Sequence, residues 1–70
     1  MQKERVCVSA IIAEEEYVFP VAVALEGGCM FDIERILSVQ AGQNATCYTV
    51  SLRGLKRNLY HEQGGGWFLQ

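Results

Sequence analysis

The chain has 70 residues, half of them hydrophobic and one in five charged, with a formal net charge of −2. This length gives a single domain over residues 1–70, one that buries only about 60% of the surface its unfolded chain exposes. No apolar run reaches the roughly 18 residues of a membrane-crossing helix; the plentiful Val, Ile, Leu and aromatic residues exclude disorder, and the acidic balance excludes a generally basic nucleic-acid binder.

In chain order, the first element is Val6, Val8, Ala10 and Ile12 alternating with Cys7, Ile11 and Ala13, a strand apolar on both faces. Lys3 and Arg5 before this run have the outline of a signal peptide. The run is too short, however, and Glu14-Glu15-Glu16 stands where a small-residue cleavage site belongs. The three glutamates read as a solvated turn. A second strand follows, with Tyr17, Phe19, Val21, Val23 and Leu25 on a bulky face and Val18, Pro20, Ala22 and Ala24 on a thin one. Pro20 has no N–H to give a ladder, which places it at the strand's beginning or on an edge. Gly27-Gly28 predicts a two-residue type I′ hairpin, because both central positions need positive φ.

The segment Cys29–Ala41 is two-valued. Ile33, Ile36 and Leu37 fall at helical spacing, with Asp32 as an N-cap and Gly42 as a stop. Phe31, Ile33, Leu37 and Val39 share a strand phase after a tight turn, and the strand is preferred. At about 3.3 Å per residue it would span about 40 Å, too long for so small a domain unless it bends. A bulge around Glu34–Arg35 supplies the bend and turns Ile36 inward. Gly42–Thr46 then reads as a loop, and Tyr48, Val50 and Leu52 alternate with Cys47, Thr49 and Ser51 in a half-buried strand. Arg53-Gly54 forms a tight turn into Leu55–Glu62, and Gly64-Gly65-Gly66 leads to a last strand with Trp67 and Leu69 on one face. The sum is an all-β fold: a small antiparallel meander of five or six strands curled into a barrel or roll, SH3-like or OB-like.

Little here specifies chemistry. Cys7, Cys29 and Cys47 are odd in number and widely spaced, so they read as reduced thiols of a cytoplasmic chain, packed as small apolar side chains. A zinc site joining them to His61 lacks the closely spaced ligand pair that zinc motifs bring, and no metal or cofactor is expected. Asn44-Ala45-Thr46 matches a glycosylation sequon but reads as a polar loop. His61 has no nucleophile elbow or ordered triad around it and is placed on the surface of a strand; the chain is not expected to be an enzyme.

Charge is uneven: residues 1–35 carry three basic and seven acidic side chains, and residues 36–70 carry three basic and one acidic. Arg53, Lys56 and Arg57 gather at one hairpin near Tyr60. That grouping supports one reading, a weak single-stranded nucleic-acid binder whose cations follow phosphates while bases stack on Tyr60 or Trp67. The leading reading comes from the apolar surplus. Alternation makes Trp67 core and Phe68 the more exposed ring, while Leu37 and Val39 cannot share a face with Ile36. A domain this small cannot hide all of these side chains, so Leu37, Val39 and Phe68 are the expected contact surface of a protein-interaction module that self-associates or docks on a larger protein.

One series of features is familiar as a series. Pro20 precedes an alternating strand, Glu26-Gly27-Gly28 turns, and Phe31-Asp32-Ile33-Glu34-Arg35-Ile36-Leu37 follows. Tyr48-Thr49-Val50, Gly54, Leu59-Tyr60 and Trp67-Phe68-Leu69 complete it. Over residues 20–69 this resembles small bacterial β-barrel proteins of about this length associated with genes for translesion (Y-family) DNA polymerases. The resemblance implies a bacterial cytoplasmic accessory protein near DNA-damage tolerance, and brings no active site with it.

Overall fold

The structure, a computed structural model, describes residues 4–13 and 17–70. Lys3 and the expected turn at Glu14-Glu15-Glu16 lie outside the described residues. Six strands follow one another: β1 (Glu4–Ala13), β2 (Tyr17–Ala24), β3 (Met30–Ala41), β4 (Ala45–Leu52), β5 (Leu55–Glu62) and β6 (Trp67–Leu69). Each pairs antiparallel with the next, and β1 pairs with β6, so the meander closes into a barrel. Closure removes sheet edges that a short open sheet would leave unpaired.

The interior follows from period-two alternation. Val6, Val23, Tyr48, Val50, Leu52, Leu59 and Leu69 are buried together, with Val8, Leu25, Phe31, Ile33, Ile36 and Trp67 packed against them. Fully burying each aliphatic side chain contributes about 1.5–3 kcal/mol, which is where a 70-residue barrel finds its stability. The long strand β3 is real and bends. Its first residues, Met30–Asp32, pair with β2, and Ile33–Ala41 pair with β4. Register shifts leave Glu34 and Leu37 as extra residues, so there are two bulges where the sequence suggested one. Their bending keeps the molecule within 30 × 25 × 20 Å and brings Ile36 opposite Val50, onto the core.

The turns show why glycine recurs. Arg53-Gly54 is the expected two-residue turn between the paired Leu52 and Leu55, with φ of 54° and 76°. Glu34, the first bulge residue of β3, reaches across to it. Its Oε1 accepts hydrogen bonds from the Ser51 hydroxyl at 2.8 Å and the Gly54 N–H at 3.1 Å. These bonds, Ser51's first, hold the Glu34 carboxyl below its ordinary pKa. The β2–β3 connection is longer than the expected two residues. Gly27 and Gly28 both have positive φ, but a 3₁₀ turn over Glu26–Gly28 joins the strands, with the Gly28 N–H donating to the Leu25 carbonyl at 3.0 Å.

Candidate interaction surface

An up-and-down meander sends alternate connections to opposite ends of the barrel, and the two ends differ in chemistry. At one end β1 and β2 run past the barrel. Pairing of β1 with β6 stops at Val6, and pairing of β2 with β3 involves only Ala22–Ala24. Between those limits β1 and β2 pair chiefly with each other, from Ser9↔Ala22 to Ala13↔Tyr17. The result is a two-stranded ribbon, and neither Val6–Ala13 nor Tyr17–Leu25 contains a charged residue.

A bulge decides which side chains the ribbon presents. The register shifts between Ser9 and Ala10, leaving Val21 as the extra residue next to Pro20. Before the shift Val23 points into the core; after it Pro20 is buried and Val18 half-buried, while Phe19 and Tyr17 are turned out. The continuous bulky face expected from Tyr17 to Leu25 is therefore split, because one inserted residue reverses a period-two pattern. Ile11 lies opposite Phe19, and the Tyr17 and Phe19 rings stack with centroids 6.3 Å apart. Ile11 is 59% exposed, Ile12 70%, Tyr17 56% and Phe19 43%. The ribbon's inner side is tied to the barrel where the Tyr48 hydroxyl donates to the Val18 carbonyl at 2.7 Å. Burial raises the Tyr48 pKa.

Leu37 and Val39, the expected contact residues on β3, are 46% and 53% exposed. Val39 belongs to the inward row Val39–Tyr48–Leu59–Leu69, at the same end as the ribbon. Phe68 is not with them. It lies on the outward row Cys47–Tyr60–Phe68–Arg5 and is half-buried, with the Arg5 guanidinium 5.6 Å from its ring centre. The expected surface of Leu37, Val39 and Phe68 is thus two separate places. Ile11, Ile12, Tyr17 and Phe19, placed on strands by the sequence but not assigned to the contact surface, are also exposed; their signal was the charge-free stretches Val6–Ala13 and Tyr17–Leu25.

The opposite end holds the basic residues, and the register divides them. Lys56 lies outward, opposite Ser51, whereas Arg57 lies opposite the fully buried Val50 and donates from Nε to the Gln70 carbonyl at 3.2 Å. Arg53 sits over the Phe31 ring at 4.6 Å. Arg53 and Arg57 line a surface concavity of about 430 Å³ with Leu25, Phe31, Leu69 and Glu4. Tyr60 stands on the outward row beside Phe68, its pKa raised by burial and by neighbouring Cys47.

Two further expectations are corrected. Cys7 and Cys29 are exposed and Cys47 half-buried, not packed in the core, because Val6 and Val8 take the inward phase of β1 and leave Cys7 outside. His61 lies on strand β5, as expected, but is half-buried rather than open: it lies opposite Trp67 and stacks on it at 4.1 Å with the rings 9° from parallel. Among the described residues no three His, Cys, Asp or Glu side chains gather as metal ligands do. Comparison with protein-family models, with curated proteins and with solved structures finds no match to this chain.

Proposed function

We propose that this chain is a non-enzymatic protein-interaction module, a small barrel that presents the β1–β2 ribbon, with Val39 of β3 at the same end, to another protein surface. The observation that carries the reading is the exposure of Ile11, Ile12, Tyr17 and Phe19 within Val6–Ala13 and Tyr17–Leu25, stretches without a single charge. Isolated exposed apolar residues need no explanation, but a contiguous uncharged ribbon exposed on both faces does. A photo-crosslinking residue placed at Phe19 tests it. The expected result is a specific protein adduct, of this chain or another, absent when the probe replaces Leu55, which is more exposed than Phe19 and lies at the far end. Equal labelling at both positions would refute the reading.

A second reading has its own observation. Tyr60 and Phe68 lie side by side on an outward sheet face, with Arg5 at one flank and Lys56 on the same side of β5. Rings on a sheet flanked by cations suit stacked bases of a single strand. With so few cations, affinity for a labelled oligonucleotide is expected only at low salt, falling with a shallow salt slope. Salt-independent binding, or none, would dispose of it.

A further inference from the structure

The partner best matched to the ribbon, we propose, is a second copy of this chain: the outer faces of two β1–β2 ribbons pack on each other across a twofold axis, covering Ile11, Tyr17 and Phe19 of each copy. This rests on the interaction reading above and adds the partner's identity and the mode of contact.

Three observations lead to it. The patch is preformed, since Ile11 and Phe19 are a cross-strand pair and Tyr17 stacks on Phe19 within the same face. Little ordering cost therefore remains to be met on association. The patch is also uniform in character. A foreign partner is usually selected by charges and donors placed around an apolar centre, and Val6–Ala13 and Tyr17–Leu25, the stretches that form the ribbon, offer no charge. A twofold axis sets the same apolar residues against each other, so no buried charge is left unpaired on either side.

Area is the third. A fully buried aromatic side chain covers about 150–250 Å². Tyr17, Phe19 and Ile11, each about half exposed, therefore bring on the order of 100 Å² apiece. With Val21 and Ala13, two copies would bury on the order of 800 Å², in the range of weak and transient interfaces. Sheets stack face to face at about 10 Å, a gap that opposed rings and isoleucines fill. An interface of that size fits a concentration-dependent dimer and is small for a permanent one.

Sedimentation equilibrium of the whole chain from about 10 µM to about 1 mM covers the range in which such an interface associates. The expected result is a monomer at the low end and a dimer at the high end. Phe19→Ser and Ile11→Lys should each weaken dimerisation by about tenfold or more, while Leu55→Ser leaves it unchanged. Near-UV circular dichroism from Tyr48 and Trp67 checks that each variant is folded; Tyr17→Ser replaces Phe19→Ser should that variant fail to fold. A monomer at every concentration overturns the proposal, as does a dimer indifferent to both ribbon substitutions. A dimer that protects the outward-pointing amides of Cys7–Ala13 from hydrogen exchange also overturns it, because that pattern reports edge pairing. A strict monomer whose Phe19 probe still crosslinks a different protein ends the self-partner proposal alone. A strict monomer with no adduct ends the interaction reading as well.

Discussion

Removing one oxygen tests how the ribbon is held. Tyr48→Phe deletes the hydroxyl that donates to the Val18 carbonyl at 2.7 Å, a contact between residues 30 apart in sequence. The ring stays, so its contact with Trp67, at 5.8 Å between centroids, is preserved. A neutral hydrogen bond contributes about 0.5–1.5 kcal/mol net. Val18 is only half-buried, so water can reach its orphaned carbonyl, and the expected loss is about 1 kcal/mol rather than a full desolvation penalty. For a domain of this size that lowers Tm by about 4–8 °C by calorimetry. The loss should be local: amides of Tyr17–Val21 should exchange faster, while those of β4 and β5 change only with global stability. The phenol adds a pH signature. Its folded pKa is raised above the ordinary 10.0 by burial, so its contribution is present below that value and is lost as pH rises through the folded pKa. The wild type should therefore lose stability in alkali more steeply than Tyr48→Phe. A Tm change under about 1 °C, or faster exchange spread evenly over the barrel, would refute the idea that this bond anchors the ribbon.

Leu59→Ala, at a side chain with no exposed surface, should cost about 2–5 kcal/mol. A small domain holds little more than that in total, so the cooperative melt should disappear; a retained sharp transition near the wild-type Tm would count against the barrel core as described. Gly54→Ala adds a methyl group into open space at φ +76°. The expected loss of about 1 kcal/mol in denaturant unfolding is therefore backbone strain alone, and a stable variant would mean the turn is not type I′. Glu34 has its pKa lowered by Ser51 and Gly54, so its contribution is present above the ordinary carboxylate value and lost as pH falls through the folded one. Glu34→Gln should flatten that acid limb in pH-dependent melts; an unchanged limb would remove the carboxylate from the turn.

The strands, the turns at Arg53-Gly54 and Gly64-Gly66, and the inward bend at Ile36 were legible because each leaves a local mark: alternation, a glycine that must take positive φ, a strand too long for its domain. Face assignment past a bulge was not legible. Val21 carries no mark as an inserted residue, yet its insertion turns Phe19 and Tyr17 outward and Pro20 inward. Leu37 behaves likewise in β3. For the same reason the surface was sensed as a surplus of apolar residues but sited partly on Phe68, whose row is fixed by pairing with Tyr60 and Arg5 rather than by anything adjacent in sequence. His61 and the cysteines show the same limit, since alternation gives a residue's side but not which neighbours cover it.

The barrel is closed by three residues, Trp67–Leu69, which join β5 to β1 through pairs as remote as Glu4↔Leu69. A ribosome makes those residues more than sixty positions after their partners in β1, so the nascent chain cannot complete its ladder until they too have been made. Until residue 69 clears the exit tunnel, Val6 and Leu59 lack their neighbouring strand, and the apolar stretches Val6–Ala13 and Tyr17–Leu25 are already outside. The interval between emergence and closure is when this protein most needs a chaperone's shelter.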